Sequence, residues 1–126
     1  KRLAKVPHML QELEPPHPYY GDAHLLLVGW GSTAGTIQEA VDLLRAEGID
    51  CGALHFSDLW PFPAAAAKKV LEKASRFYVV ENNATGQLAQ IIRQELLRAP
   101  DGLLLKYDGR PFYPVEIANK IKELAR

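Results

Sequence analysis

Four short segments of glycine, polar and aromatic residues separate the apolar runs of this chain, and any chemistry is expected there. The first, residues 29–35 (GWGSTAG), has the G-x-G-x-x-A form of a dinucleotide-binding turn, in which a pyrophosphate lies on a helix N-terminus. The large Trp30 between the glycines, and the lack of a second mononucleotide half, favour a simpler interpretation. We expect a tight turn with close backbone approach, in which Ser32 or Thr33 caps the following helix.

The second segment, residues 58–63 (DLWPFP), is a stiff apolar loop that contains two prolines and two aromatic residues. Such a loop could fold onto the core of its own domain. A docking surface is the favoured interpretation, because Trp60 and Phe62 on a rigid connection are typical interface anchors.

The third segment, residues 81–87 (ENNATGQ), is rich in hydrogen-bonding side chains. Helix capping and left-handed backbone explain one asparagine and Thr85, but not two asparagines, a glycine and a glutamine in succession. The pattern therefore indicates polar recognition at a helix N-terminus. Glu81 alone does not make an acid–base pair, since general acid–base catalysis needs a second positioned group.

The fourth segment, residues 107–112 (YDGRPF), contains an Asp-Gly turn signal. Its Arg110 could form a bidentate contact with a carboxylate or a phosphate. An ion pair between Arg110 and Asp108 or Glu116 is the favoured alternative.

Composition excludes several classes of site. The chain has 126 residues, 15 basic and 15 acidic, and no basic stripe that would bind nucleic acid. A lone Cys51 excludes an internal disulfide or a cysteine-ligated metal, and indicates a buried thiol in a reducing, cytoplasmic compartment. The four histidines lack metal-ligand spacing, and His24 and His55 are expected to be structural. No apolar stretch approaches the ~20 residues that would cross a membrane, and the N-terminus does not have the pattern of a signal peptide.

The elements that position these segments alternate between strand and helix. Buried apolar runs predict strands at His24–Gly29, Cys51–Phe56, Phe77–Val80 and Leu103–Lys106. Helical spacing and caps predict helices to about Glu47, at 64–73, at 85–98, and from Pro114 onward. Four such alternations specify an α/β fold with a mostly parallel sheet covered on both faces.

The first part of the chain follows a different pattern. Leu3, Val6, Leu10 and Leu13 recur at helical spacing over residues 1–14, although Pro7 interrupts that stretch. A Pro-rich spacer follows. We therefore expect an N-terminal segment and linker at 1–22 and an α/β domain at 23–126.

Taken together, four strings in register resemble one known family. They are LLVGWGST (26–33), LWPFP (59–63), VVENNATGQL (79–88) and YDGRPF (107–112). Their order and spacing resemble the C-terminal part of the alpha subunit of 2-oxoacid:ferredoxin oxidoreductases, with the 2-oxoglutarate type the most similar. The resemblance implies a three-layer α/β/α sandwich like the transketolase C-terminal domain, on a five-stranded, mostly parallel sheet. Since only four strands are clear, the fifth is expected near the linker.

The resemblance also implies a function. Such enzymes oxidatively decarboxylate a 2-oxoacid to an acyl-coenzyme A and pass the electrons to ferredoxin, using thiamine diphosphate, Mg²⁺ and an iron–sulfur cluster. This domain is expected to bind none of these cofactors and to contact the other alpha-subunit domains and the beta subunit. The contact candidates are Gly29, Trp30, Gly31, Ser32, Thr33, Trp60, Phe62, Asn82, Asn83, Thr85, Gly86, Gln87, Arg110 and Phe112. The alternatives are a stand-alone nucleotide- or anion-binding module and a pure oligomerisation module.

Overall fold

The computed structural model describes residues 15–57, 59, 62–82, 86–106 and 112–125. In these residues, one five-stranded sheet lies between two layers of helices. The strands are β1 (His17–Tyr19), β2 (Leu25–Trp30), β3 (Cys51–Phe56), β4 (Arg76–Glu81) and β5 (Gly102–Leu105). The helices are α1 (Ala34–Ala46), α2 (Ala64–Leu71), α3 (Gln87–Leu96) and α4 (Pro114–Leu124), and a 3-10 turn spans Gly31–Thr33.

The sheet has the order β1-β3-β2-β4-β5. All neighbouring pairs are parallel except β1 and β3, which pair antiparallel with His17 opposite His55. The predicted mostly parallel sheet is therefore confirmed, and β1 supplies the expected fifth strand from the Pro-rich stretch. The sequence predicts that stretch to be a linker, whereas its residues His17–Tyr19 belong to the sheet. The boundary between residues 22 and 23 stays a prediction.

The core has two halves because successive side chains of a strand point to opposite faces of the sheet. On one face, Leu26 and Val28 of β2 pack against α2 and α3. On the other face, Leu25 and Leu27 pack against α1 and α4. Sheet residues buried on both faces explain why the strands read as continuous apolar runs, and the three-layer α/β/α class is confirmed.

Arg98, just beyond α3, joins two of these elements. Its guanidinium donates to the Leu71 carbonyl at 2.7 Å and to the Ala74 carbonyl at 3.2 Å, and lies 4.8 Å from the Phe77 ring centroid. The last carbonyls of a helix have no partner within the helix itself. Arg98 therefore closes the C-terminal end of α2 and holds it beside α3.

Helix lengths agree with the patterning except at the ends. Helix α2 ends at Leu71, two residues before the predicted end at residue 73. Helix α3 begins at Gln87, two residues after the predicted start at residue 85, and ends at Leu96, two residues before the predicted end. The helix predicted within residues 1–14 lies outside the described residues. Among the helices that the structure does describe, none has both the length and the apolar character needed to cross a bilayer.

Candidate contact surface at the strand ends

The two central strands define where a site is expected. From β2 the chain moves to β3 on one side, and β4 then lies on the other side of β2. The loops that follow β2 and β4 therefore diverge at the carboxyl ends of adjacent parallel strands. Such a switch point is the usual place where open α/β sheets bind ligands or partners.

A cleft of about 410 Å³ lies at this switch point. Trp30, Gly31, Ser32, Thr33, Asn82 and Gln87 line it. Six residues that the sequence singled out in two separate segments are thus brought together. Ser32, Asn82 and Gln87 are exposed and Trp30 is half-buried, so the cleft presents neutral polar groups beside one aromatic ring.

The turn after β2 is tight, as expected. Gly29 is buried in β2, where a Cβ would collide with the side chain of Ile37. Gly31 adopts a φ of 71°, which glycine reaches without strain. Thr33 is the N-cap residue of α1, but in the described turn neither Ser32 nor Thr33 caps that helix through its side chain. The predicted cap is therefore wrong, because the Thr33 hydroxyl instead donates back to the Trp30 carbonyl at 3.1 Å.

Glu81 connects the two loops of the cleft. Its side chain is 1% exposed at the end of β4. The Trp30 indole N–H donates to Oε1 at 3.1 Å, the Leu88 N–H donates to Oε1 at 2.9 Å, and the Ala89 N–H donates to Oε2 at 3.4 Å. One carboxylate thus holds the indole after β2 and satisfies the free N–H groups at the start of α3, where negative charge is stabilised.

Gly86 makes this arrangement possible. It precedes α3 with a φ of 62° and is buried. That left-handed turn brings the first N–H groups of α3 over the end of β4, where the Glu81 carboxylate lies. The contact candidates Asn83 and Thr85 lie outside the described residues.

Phe62 and Phe112 do not line this cleft. Phe62 is 7% exposed and stacks on Phe56 with 5.1 Å between ring centroids, so the core-loop alternative holds for this residue. Phe112 is half-buried against the α1–α4 core, with the Lys106 ammonium 5.6 Å from its ring centroid. Trp60 and Arg110 lie outside the described residues.

Two titratable groups near the sheet have shifted pKa values. Burial raises the pKa of the Cys51 thiol to about 12, so the thiol is protonated and inert, as its apolar surroundings predicted. Burial also lowers the pKa of His55, with a contribution from the nearby His17, against a backbone hydrogen bond with Gly31. The Nδ1 atom of His55 is buried and has no hydrogen-bond partner among the described residues, so this histidine is less fully satisfied than expected.

The role of Glu81 was not predicted from the sequence, where the residue was weighed only as half of an acid–base pair. An available signal was the position of an acidic residue directly between a buried strand and a helix start, where the helix dipole favours it. In the part of the chain that the structure describes, no group of three or more His, Cys, Asp or Glu residues could hold a metal ion.

Comparisons with known proteins find relatives among the alpha subunits of 2-oxoacid:ferredoxin oxidoreductases. The chain is 36% identical over 103 residues to the alpha subunit of 2-oxoacid:ferredoxin oxidoreductase 2 from Aeropyrum pernix, which covers 82% of this chain and 16% of that protein. It is 40% identical over 97 residues to 2-oxoglutarate oxidoreductase subunit KorA from Mycobacterium tuberculosis, covering 76% of this chain and 14% of that one. The chain therefore spans about a sixth of the length of these relatives.

Solved structures show the same fold. The 2-oxoglutarate:ferredoxin oxidoreductase from Magnetococcus marinus, with 2-oxoglutarate, coenzyme A and succinyl-CoA bound, matches with a TM-score of 0.89 and 31% identity over 99% of this chain and 22% of that chain. The alpha chain of a probable 2-oxoacid ferredoxin oxidoreductase from Thermoplasma acidophilum matches with a TM-score of 0.61 and 32% identity. The match covers 89% of this chain and 98% of that chain. A split-gene transketolase, 13% identical with a TM-score of 0.66 over 89% of this chain and 42% of that chain, shares the fold.

A family model covers most of the described domain. The model of pyruvate:ferredoxin oxidoreductase core domain II matches residues 23–117. That range contains β2 to β5 and the whole switch-point cleft. The chain belongs to the pyruvate:ferredoxin oxidoreductase core domain II family.

Proposed function

We propose that this chain is the transketolase C-terminal-like contact domain of the alpha subunit of a 2-oxoacid:ferredoxin oxidoreductase. In this role it holds neighbouring domains and subunits together and carries no complete active site. The observation that carries the proposal is the switch-point cleft. Its described lining combines an aromatic ring, serine and amide groups, and these described residues hold no pair of groups for acid–base catalysis, which suits a protein contact.

The described residues of this chain do not fit the metal cofactors of such an enzyme. A four-cysteine iron–sulfur cluster needs more thiols than the single, buried Cys51. Mg²⁺ with thiamine diphosphate needs several oxygen ligands, and the described residues contain no such acidic group. We therefore assign Mg²⁺ with thiamine diphosphate and the iron–sulfur cluster to other parts of the assembly, and we propose the same for coenzyme A.

The proposal extends to the reaction and the partners. The assembly would oxidatively decarboxylate a 2-oxoacid, with 2-oxoglutarate the preferred candidate, and transfer the electrons to ferredoxin in the cytoplasm. Similarity to the Magnetococcus marinus enzyme supports 2-oxoglutarate. The partners of this domain would be the remaining alpha-subunit domains and a beta subunit, with ferredoxin reached through the complete enzyme.

A pair of substitutions on one helix tests the contact role. Gln87 lies at the start of α3 in the cleft, and Gln94 lies two turns later on the same helix; both are exposed. We expect Gln87→Arg to reduce recovery of the complex with the beta subunit, and 2-oxoglutarate-dependent reduction of methyl viologen, at least tenfold. Gln94→Arg should leave both unchanged. Equal effects, or a complete complex inactive on every 2-oxoacid, would contradict the proposal.

The second candidate is a stand-alone nucleotide- or anion-binding module. The size of the cleft beside Gly31 and the start of α1 favours it, whereas the Glu81 carboxylate, which binds the Trp30 indole beside the cleft, would oppose an anion there. Calorimetry with coenzyme A and with thiamine diphosphate on the full-length protein separates the two candidates. A dissociation constant below roughly 0.1 mM would favour the module.

A further inference from the structure

The outer edge of β5 has no described strand beside it. Strand β5 pairs with β4 on its other side and ends the sheet. Its sequence, GLLL, contains neither a proline nor a charged residue, and Leu103 is 39% exposed. Edge strands usually carry a proline or a charge that prevents pairing with another chain. The composition of β5 therefore indicates an edge that a further strand covers.

A groove of about 510 Å³ lies beside this edge. Its described walls include β5 and one stripe of α4, formed by Glu116, Asn119, Lys120 and Glu123. These four positions recur at intervals of three or four residues, so they lie on one side of the helix. All four residues are exposed. A strand that pairs with β5 would bring the helix above it against this stripe.

The backbone of β5 determines how a further strand can pair. Just before β5, the Asp101 N–H donates to the Phe77 carbonyl of β4 at 2.8 Å. N–H groups alternate in direction along a strand, so that of Leu103 also points to β4, whereas those of Gly102 and Leu104 point outward. Two antiparallel copies of β5 centred on Leu103 would therefore hydrogen-bond Gly102 of each copy to Leu104 of the other.

Helix α4 lies antiparallel to β5, which sets the part of the helix that faces the centre of such a pair. The Lys106 ammonium lies 2.7 Å from Glu116 Oε1, and a Cβ on Gly102 would lie 3.5 Å from Leu124 Cδ1. Between these two contacts the strand extends ~13 Å and the helix extends ~12 Å. A twofold axis at Leu103 therefore crosses the last turn of α4.

The charges of α4 complement themselves across this axis. Two antiparallel α4 helices that cross at their last turns place Lys120 of each copy near Glu123 of the other. No ion pair joins either side chain to another described residue, and Lys106 neutralises Glu116. One cation and one anion remain on the described stripe, which suits an identical helix better than a partner with a net charge.

The geometry points to a second copy of this chain as the partner of β5. The two copies pair antiparallel through Gly102–Leu105 about a twofold axis at Leu103, and their α4 helices lie side by side. Such a symmetric contact uses the same surface on both copies and closes the outer edge of both sheets at once. This surface is separate from the switch-point cleft, so the inference does not depend on the proposed function.

Disulfide formation between copies of the full-length protein tests this inference. Residues that face each other in a non-hydrogen-bonded antiparallel pair have Cα atoms about 4.5 Å apart, within the range of a disulfide. We expect Leu103→Cys to form a disulfide-linked dimer at least tenfold faster than Val115→Cys, as read by intact mass under mild oxidation. Val115 is 57% exposed, so random collision would favour this control. Cys51 is buried and protonated, and therefore does not compete.

A charge exchange tests the contact between the two α4 helices. In the Leu103→Cys protein, Lys120→Glu should slow formation of the linked dimer at least threefold, because the facing side chains of the two copies are then all acidic. Adding Glu123→Lys should restore at least half of the original rate, since the exchanged pair is again self-complementary.

Three results would overturn the inference. Equal rates for Leu103→Cys and Val115→Cys would show that the β5 edges of two copies do not face each other. A Leu103→Cys disulfide to a different subunit of the complex would identify another protein as the partner. No restoration of the rate in the charge-exchanged protein would show that the α4 helices do not meet.

Discussion

At the scale of single residues, Glu81 has the most consequential position in the molecule. A buried carboxylate is tolerated only when its oxygens are well satisfied, and here an indole N–H and two backbone N–H groups meet it. The same group fixes Trp30 and the first turn of α3, which form opposite walls of the cleft. The shape of the cleft therefore depends on a residue that does not line it.

Substitution of Glu81 by glutamine should destabilise the fold. The amide has nearly the same shape, but its NH₂ group cannot accept the hydrogen bonds that one carboxylate oxygen now accepts. We expect the free energy of unfolding, measured in urea, to fall by about 2 kcal/mol, a value typical of hydrogen bonds to a charged group. Glu95→Gln, at an exposed position on α3, is the matched control and should change stability by less than about 0.5 kcal/mol.

At the scale of elements, the Arg98 side chain adds to the backbone hydrogen bonds that close the C-terminal end of α2. The planar guanidinium of Arg98 reaches two carbonyls at once while it covers the Phe77 ring. An ammonium has no such fork, so lysine cannot replace both bonds.

Arg98→Lys should therefore loosen the connection between α2 and α3. We expect a loss of about 1–2 kcal/mol in unfolding free energy and faster amide hydrogen exchange confined to residues 67–74. Arg93→Lys, an exposed change on α3, serves as the comparison. If both substitutions have the same small effect, the hydrogen bonds of Arg98 do not hold the end of α2.

The strands differ in how well the sequence predicts them. The strand Cys51–Phe56 was predicted with its observed limits, because burial on both faces produces a continuous apolar run and six residues are too few for a typical helix. β1 was harder to place, since its three residues include Pro18 and carry no hydrophobic pattern. The link between Trp30 and Glu81 spans 51 positions and follows only from the order of the strands, so local patterns could not reveal it.

At the scale of the whole molecule, His55 makes the fold sensitive to acid. Burial lowers its pKa below the ordinary value of 6.5, so the unfolded chain takes up a proton at a higher pH than the folded one does. The stability that depends on neutral His55 is present above pH 6.5 and is lost as the pH falls from 6.5 through the lowered pKa.

Thermal unfolding at pH 7.5 and at pH 5.5 would measure this effect. The wild-type protein should lose more of its melting temperature between the two values than His55→Gln does. His24→Gln, at a position with a 77% exposed side chain 3.9 Å from Asp50, is the comparison and should change that loss less than His55→Gln does. An identical loss in all three proteins would assign the acid sensitivity to other groups.

The edge strand β1 is poorly suited to pair with a strand of another chain during folding. It is three residues long and contains Pro18, which lacks an N–H group, so its outer side offers little to an incoming strand. The opposite edge, β5, contains no proline and carries the 39% exposed Leu103. Among the described strands, β1 therefore opposes growth of the sheet into an aggregate and β5 does not. A proline or lysine introduced into β5 is expected to improve solubility on expression.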